Sequence, residues 1–498
     1  MNLRAVLGVL GHILRPFALL LVVPAAVDLG YGDTRRASAF ALTSAVAFAI
    51  GAGLARLTRG QPRTSRTDSI GVVAGTWVLA ALFGALPYMD QGFSPINALF
   101  ESMSGFTTTG ATIFTDEWSY FVDGNWTGPL SPGLIVWRCM TQWLGGMGII
   151  VLFVAVLPAL AVSGRQMFFA EAPGPTDEAL TPRIRNTAVA LWKVYIGLTA
   201  IEVILLRTVG DMLWYDAVCH GFTTIAAGGF SPHPDSIAAY GPTVQWIILP
   251  FMFLAGTSFA LQYRALFRPG ALFRDREFRA YVLIVVAAGA GVTLLLYGRA
   301  GGGEDATDSL RHGLFQTVSI LTSTGYASEN FGNPKLWNDA PLMILFALMF
   351  IGGSAGSAGG GPKVIRIMLL ARFLTREVLT ALHPRAVWTI KIGGQHVQRE
   401  TMRQVLGFLL AYITFFGVVA LAVGIAENDF RVGLTGSIVT LGNIGPGFGA
   451  IGPMGTFGEL TVFSKILLII NMWVGRLEVM TVLMIFHGSV LRSLTWRK

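Results

Sequence analysis

The sequence has 498 residues, of which 53% are hydrophobic and only 13% are charged. Soluble globular domains carry about 25% charged residues, so this composition excludes an ordinary soluble protein and predicts a multi-pass, all-α membrane protein. The formal net charge of +8 is less informative than its distribution, because the positions of Lys and Arg decide which loops face the cytoplasm.

Apolar stretches of membrane-spanning length recur along the whole chain. A helix needs about 20 apolar residues to cross a bilayer, and we expect about ten such spans. Clear examples are 6–29, 38–56, 71–89, 187–206, 281–298 and 404–426.

Basic residues are concentrated in alternate loops. Five segments hold 24 Lys and Arg, whereas four segments between the later spans hold only 4. The basic segments are 56–68, 164–193, 264–279, 363–403 and 492–498, and the others are 90–132, 209–240, 299–339 and 427–459. This asymmetry predicts that the first set is cytoplasmic and the second external. We expect membrane lipid around the spans and no nucleic-acid partner.

A short motif ending in a glycine turn recurs four times, always in an external segment. The copies are FTTTGAT (106–112), IAAGGFS (225–231), LTSTGYA (321–327) and LGNIGPG (441–447). In each copy an apolar residue stands four positions before a glycine. A stretch typical of a helix too short to cross the membrane precedes the copies. We expect three of these helices to begin at Ser94-Pro95, near Asp308-Ser309 and near Asn428-Asp429, where capping residues stand.

The repeated unit is therefore a span, a short helix, a glycine turn and a second span. Four units after an N-terminal pair of helices (1–68) divide the chain at 69–165, 166–270, 271–385 and 386–498. Non-helical backbone at membrane depth is tolerated only where it packs in protein or lines water. A single such turn could be an ordinary loop, but four around an axis could line one pore with carbonyl oxygens that replace an ion's hydration shell.

Six segments, taken in chain order, resemble a known family. They are SMSGFTTTGAT, QWLGGMGIIVLFVAVLP, CHGFTTIAAGGFS, LTSTGYA, LGNIGPG and GRLEVMTVL. With them the chain resembles the Trk/Ktr/HKT superfamily of potassium transporters, and its two additional N-terminal spans resemble the TrkH/TrkG branch. The resemblance implies potassium uptake across the bacterial inner membrane, without an organic cofactor. It also implies a homodimer with a cytosolic, nucleotide-binding regulatory subunit of the RCK type, like TrkA.

The resemblance further implies a selectivity filter built from three residues of each copy. These residues are Thr108, Thr109, Gly110, Ala227, Gly228, Gly229, Ser323, Thr324, Gly325, Asn443, Ile444 and Gly445. Potassium is expected at Thr109, Gly228, Thr324 and Ile444. A serine at the first glycine accompanies sodium permeation in the plant branch, so Gly110 implies potassium. The second and fourth copies depart from the potassium-channel signature, because they read AAG and GNI before the glycine.

The span at 342–373 is interrupted by six glycines and a proline within 352–362. Each internal glycine costs a helix about 1 kcal/mol and a proline about 3 kcal/mol, so we expect unwound backbone here. The resemblance implies an intramembrane gating loop formed by Gly352, Gly353, Gly356, Gly359, Gly360, Gly361 and Lys363. The alternatives are a helix contact through small residues and a phosphate loop, although the order Gly-Pro-Lys does not fit the latter.

Arg476 lies near the middle of the last expected span, 461–490. A charge at that depth is costly and marks a functional hypothesis. Glu478 is two positions away, on another face of a helix, and is not its automatic partner. We predict that Arg476 faces the pore as an electrostatic barrier to cations. The alternative is a structural salt bridge. Glu101 and Glu202 could contact ions or water, or have structural roles.

Two other classes of function remain as alternatives. A secondary transporter coupled to protons or sodium would also have broken spans, but between inverted repeats, whereas these repeats share one orientation. A membrane enzyme would need a cluster of nucleophile, base or metal ligands, and the sequence suggests none, so no catalytic residue is expected. Cys139 and Cys219 lie in apolar stretches and are expected to be buried free thiols.

Overall fold

A computed structural model describes residues 1–56, 66–115, 119–122, 125–151, 180–299, 305–386, 388–392 and 395–488. In chain order its helices are α1 (Leu3–Leu20), α2 (Val22–Gly30), α3 (Thr34–Ala55), α4 (Arg66–Asp90), α5 (Pro95–Phe106), α6 (Pro132–Val151), α7 (Leu180–Thr208), α8 (Trp214–Ile225), α9 (Pro242–Ala255), α10 (Phe259–Phe267), α11 (Gly270–Arg274), α12 (Arg276–Arg299), α13 (Ala306–Leu321), α14 (Asp339–Leu348), α15 (Val364–Leu382), α16 (Arg399–Glu427), α17 (Phe430–Leu441), α18 (Val462–Leu477) and α19 (Val479–Ile485).

The prediction of a multi-pass helical membrane protein is confirmed. Of the described helices, six spans are long and apolar enough to cross a membrane, or up to eight if each of two bent pairs is one span. The bent pairs are α9 with α10, at 101°, and α18 with α19, at 105°. The other expected spans correspond to α6 and to the interrupted pair of α14 and α15. Two small antiparallel hairpins pair Tyr120–Val122 with Asn125–Thr127 and Lys391–Ile392 with Gln395–His396.

Four short helices, α5, α8, α13 and α17, each follow a long helix and pack against it. Their last residues are Phe106, Ile225, Leu321 and Leu441. These are the apolar residues that stand four positions before the repeated glycines. The apolar position in the sequence pattern therefore marks the end of each short helix.

The helix starts follow ordinary capping chemistry. Ser94 caps α5 by accepting a hydrogen bond from a first-turn N–H, and Pro95 is its first residue, as expected. Asp429 caps α17 in the same way, also as expected. The third short helix begins earlier than Asp308, because Asp305 provides the cap and extends the helix at its start.

The last span differs from the expected continuous helix over 461–490. Helix α18 ends at Leu477, and Glu478 has a φ of +64°, which breaks the helix before α19. The chain bends by 105° at this point. Arg476 consequently lies in the last turn of α18, next to the bend, rather than within a continuous helix. Residues 489–490 lie outside the described part of the chain.

The N-terminal helices are fastened to the rest of the molecule by a buried carboxylate. Helices α1 and α3 pack against α4, and α2 packs against α6. Asp28 accepts hydrogen bonds from the Gly133 N–H (2.6 Å) and the Ser131 hydroxyl (3.2 Å). The first-turn amides of α6 have no helical carbonyl to bond, and a carboxylate at a helix N-terminus is stabilised by the helix dipole.

Candidate functional site

The four glycine turns, residues 106–112, 225–231, 321–327 and 441–447, have the same backbone course. Two positions before each glycine, a non-glycine residue has a positive φ: +52° at Thr108, +52° at Ala227, +58° at Ser323 and +52° at Asn443. The glycines follow with φ of +81° at Gly110, +78° at Gly229, +84° at Gly325 and +102° at Gly445. Each short helix therefore ends in one recurring turn, although the four sequences differ.

The same backbone hydrogen bond closes all four turns. The N–H of the residue before the glycine donates to a carbonyl in the last turn of the short helix. The pairs are Thr109 with Ser104 (2.8 Å), Gly228 with Thr223 (2.9 Å), Thr324 with Ser319 (2.9 Å) and Ile444 with Val439 (2.8 Å). These bonds satisfy carbonyls that the helix itself leaves unpaired.

The turns also contact one another in cyclic order. A Cβ atom added at any of the four glycines would lie closer than 3.0 Å to a carbonyl oxygen of another turn, a separation that real Cβ atoms essentially never show. Gly110 faces the oxygen of Gly228, Gly229 that of Thr324, Gly325 that of Ile444, and Gly445 that of Thr109. Only glycine fits here, because it combines a positive φ with the absence of a side chain.

The four oxygens in this cycle belong to Thr109, Gly228, Thr324 and Ile444, the positions expected to bind potassium. Carbonyl oxygens can replace the hydration shell of an alkali cation. The C-terminal ends of the four short helices lead into the turns, and their partial negative charge favours a cation there. The arrangement is therefore chemically suited to a dehydrated monovalent cation.

Two amide side chains, neither assigned a side-chain role by the sequence reasoning, brace the turns. Asn443 donates from Nδ2 to the Thr109 hydroxyl (2.9 Å), which joins the fourth turn to the first. Gln142 donates from Nε2 to the Gly228 carbonyl (2.7 Å) and accepts from the Phe230 N–H (3.0 Å). The Gly228 oxygen already accepts one hydrogen bond, so one of its two lone pairs remains for a cation.

A fully buried ion pair lies behind the first and second turns. Arg138 donates from Nε to Glu101 at 2.6 Å, with side-chain exposures of 2% and 0%. Glu101 also accepts from the Ile113 N–H (2.9 Å), and Arg138 donates to the Ser231 carbonyl (2.8 Å). Glu101 thus has the structural role left open by the sequence. The sequence did not lead us to Arg138. It could have been found in the same way as Arg476, as an arginine within an apolar stretch.

The second carboxylate of interest, Glu202, is fully buried in α7. It lies beside Thr224 of α8, whose hydroxyl donates to the His220 carbonyl (2.8 Å). Cys139 and Cys219 are both free and buried, as predicted.

The glycine-rich loop, residues 352–362, is non-helical as expected and separates α14 from α15. Gly352, Gly356 and Gly361 have φ values of +83°, +76° and +74°. The Gly360 N–H donates to the Ser323 hydroxyl (2.6 Å). A Cβ at Gly359 would lie 2.5 Å from the Thr322 carbonyl oxygen. The loop therefore packs directly against the third turn, with no room for side chains between them.

Backbone hydrogen bonds attach the loop to the break between α9 and α10. The Ser354 N–H donates to the Gly256 carbonyl (2.8 Å), and the Ala358 N–H donates to the Ala255 carbonyl (3.1 Å). The Gly356 carbonyl accepts from the Phe259 N–H (3.1 Å). The bend between α9 and α10 thus holds the non-helical segment between α14 and α15 in place.

Two basic side chains lie on the loop. Arg476, which is 3% exposed, donates to the carbonyls of Ala358 (3.0 Å) and Gly145 (3.2 Å). Lys363 donates to the Gly359 carbonyl. Among the described residues Arg476 forms no ion pair, so the alternative of a structural salt bridge is not observed there. Glu478 pairs instead with Arg366 at 2.8 Å, and it is not the partner of Arg476, as predicted.

Comparisons with known proteins cover the whole chain. The family model TrkH, described as a cation transport protein, matches residues 36–293 and 303–491. The chain is 36% identical over 507 residues to the Trk system potassium uptake protein TrkH of Halomonas elongata, with 100% of both sequences covered. It is 32% identical over 502 residues to TrkG of Escherichia coli K12, covering 99% of each. The crystal structure of the potassium transporter TrkH from Vibrio parahaemolyticus matches with a TM-score of 0.86 and 33% identity, covering 100% of both chains.

Proposed function

The chain belongs to the TrkH family of cation transport proteins, and from that premise we propose that it takes up potassium through one pore. In this proposal the four repeats are arranged with four-fold pseudo-symmetry, and the four glycine turns form the selectivity filter. The observation that carries the proposal is the cyclic contact of the turns, in which each glycine abuts the carbonyl of the next copy. Relatives described as potassium uptake proteins support the choice of ion.

The filter would act by replacing water around the ion. Carbonyl oxygens of Thr109, Gly228, Thr324 and Ile444 would supply the oxygen ligands. Helix C-termini would add partial negative charge from four directions. Gly110 stands where the plant branch of the superfamily has the serine that accompanies sodium permeation, so the first position would favour potassium.

The glycine-rich loop would act as the gate, with Arg476 as an electrostatic barrier. The loop lies against the third turn, and Arg476 is bonded to it. At the dielectric constant of a water-filled passage, a fixed unit charge about 4 Å from a passing cation opposes it by about 1 kcal/mol, which corresponds to a severalfold change in flux. Movement of the loop together with Arg476 would lower this barrier.

Control of the gate would come from a cytosolic partner. We include in the proposal a homodimer and a nucleotide-binding regulatory subunit of the RCK type, like TrkA. Six Lys and Arg within 372–403, all exposed or half-exposed, would present a basic cytoplasmic surface to such a subunit. The relatives' designation as parts of a Trk system supports the presence of further components.

The test is cation flux into lipid vesicles that contain the purified chain, with potassium and sodium gradients compared in the presence and absence of a protonophore. We expect potassium flux to be well above sodium flux. We also expect potassium flux to persist when the protonophore collapses the proton gradient. Equal flux of both ions would contradict the filter. Potassium flux that stops with the proton gradient would instead favour the coupled secondary transporter.

A further inference from the structure

Glu277, in the first turn of α12, accepts hydrogen bonds from both the glycine-rich loop and the helix that follows it, α15. Its Oε1 atom accepts a hydrogen bond from the Ala355 N–H (2.7 Å) and one from the Ile365 N–H (3.2 Å). Ala355 lies within the glycine-rich loop, and Ile365 lies in the first turn of α15. A single carboxylate oxygen therefore bridges the loop to the helix that follows it.

This carboxylate supplies a helix cap that the local sequence lacks. Lys363 stands at the cap position of α15 with a φ of +80°, and its side chain makes no capping hydrogen bond. The first amides of a helix need an acceptor from elsewhere, and a negative charge is favoured at that end of the helix. Glu277 meets both needs at Ile365.

Glu277 and Arg476 hold the same short stretch of loop from different helices. Glu277 accepts from the amide of Ala355, and Arg476 donates to the carbonyl of Ala358. The remaining loop contacts to α9 and α10 are between backbone groups, which cannot move independently of those helices. Release of the loop by side-chain movement thus requires the hydrogen bonds of Glu277 and of Ser323 to break as well as those of Arg476.

We propose that Glu277 is a positioning residue that fastens the glycine-rich loop in its blocking position. The inference rests on the proposed function only in assigning the loop as the gate, since the fastening itself follows from the two hydrogen bonds. Loss of the carboxylate frees the amides of Ala355 and Ile365 together. The loop then becomes mobile, and cation flux rises.

The experiment compares Glu277→Ala, Glu277→Asp and Glu277→Gln in the full chain reconstituted in lipid. Hydrogen exchange across 353–366, read by mass spectrometry, reports on the loop, and potassium flux reports on the gate. Hydrogen bonds to charged groups contribute enough that their loss should speed exchange by about tenfold or more. Asp keeps the charge but is one methylene too short, so it should behave like Ala. Gln keeps the acceptor oxygen and should restore most of the protection.

Glu400→Ala is a matched control. Glu400 also follows an arginine in the first turn of a long helix, α16, but its side chain is 71% exposed and pairs only weakly with Arg403, at 3.8 Å. It shares with Glu277 the favourable effect of a carboxylate at a helix start. We therefore expect exchange in 353–366 to match the native protein, which separates fastening of the loop from helix stabilisation in general.

The two readouts separate the fastening from the gate. Faster exchange with higher flux in the Ala and Asp variants, but not with Gln, is the expected result. Unchanged exchange in Glu277→Ala and Glu277→Asp would overturn the fastening role. Faster exchange with unchanged flux would leave the fastening in place and overturn the assignment of the loop as the gate.

Discussion

The glycine turns and the glycine-rich loop are both non-helical segments rich in glycine, but they are held in different ways. Each turn is closed by a backbone bond to its own helix and abuts the backbone of another turn. The loop depends in part on single side chains, those of Ser323, Glu277 and Arg476. Side chains can change rotamer without moving a helix, whereas backbone contacts cannot be withdrawn in this way. The difference favours rigid turns and a releasable loop.

The buried pair behind the turns should give the largest change in stability. Arg138→Met leaves Glu101 as an uncompensated buried charge, which should lower the free energy of unfolding by about 3–5 kcal/mol. Thermal unfolding in detergent micelles measures the effect. The control, Arg403→Met, breaks an ion pair whose side chains are 82% and 71% exposed, and should cost at most about 1 kcal/mol. Equal losses of stability in both variants would show that the buried pair stabilises the protein no more than the exposed one.

Gly325, in the third turn, should tolerate a methyl group less well than Gly361, in the loop. Gly325 and Gly361 both have positive φ, +84° and +74°. A Cβ at Gly325 would strike the Ile444 carbonyl, whereas the nearest atom to one at Gly361 is 3.2 Å away, at the Gly352 Cα. Overpacking costs about 1–3 kcal/mol, so potassium flux should fall by about tenfold or more in Gly325→Ala. Flux in Gly361→Ala should not fall, because strain in the loop weakens its blocking position. A larger loss in Gly361→Ala would reverse the comparison.

Removal of the Arg476 charge should raise cation flux, by a smaller factor than Gly325→Ala lowers it. Arg476→Ala should raise cation flux about severalfold, because the barrier and one loop contact disappear together. Arg476→Lys keeps the charge but loses the planar fork that reaches the carbonyls of both Ala358 and Gly145. Cation flux through Arg476→Lys in the vesicle assay should lie between that of the native protein and that of Arg476→Ala. If both variants had the same flux as the native protein, Arg476 would not be the electrostatic barrier.

The turns could be located from sequence because local chemistry determines them. An apolar residue four positions before a glycine marks the last residue of each short helix, since the glycine is needed for a positive φ and close approach. Glycines and a proline likewise predicted the unwound loop, because each opposes a helix. The caps of Ser94 and Asp429 follow from the same local rules.

The partners of buried charges could not be predicted in this way. Glu101 meets Arg138, and Glu478 meets Arg366, through packing between different helices. The break falls on Glu478, which is neither glycine nor proline, and its positive φ is unusual for a glutamate. Tertiary contacts, not local propensity, determine these features, so the sequence indicated a continuous last span where the structure has a bend.

The most direct test of the four-turn filter is the ratio of potassium to sodium flux in Gly110→Ser and Gly92→Ser. Both glycines lie in the first repeat with positive φ, +81° and +97°. No atom of the described residues lies within 4 Å of a Cβ at Gly92, whereas one at Gly110 meets the Gly228 carbonyl. We predict that Gly110→Ser loses the preference for potassium and that Gly92→Ser keeps it. An unchanged preference in Gly110→Ser would contradict the filter.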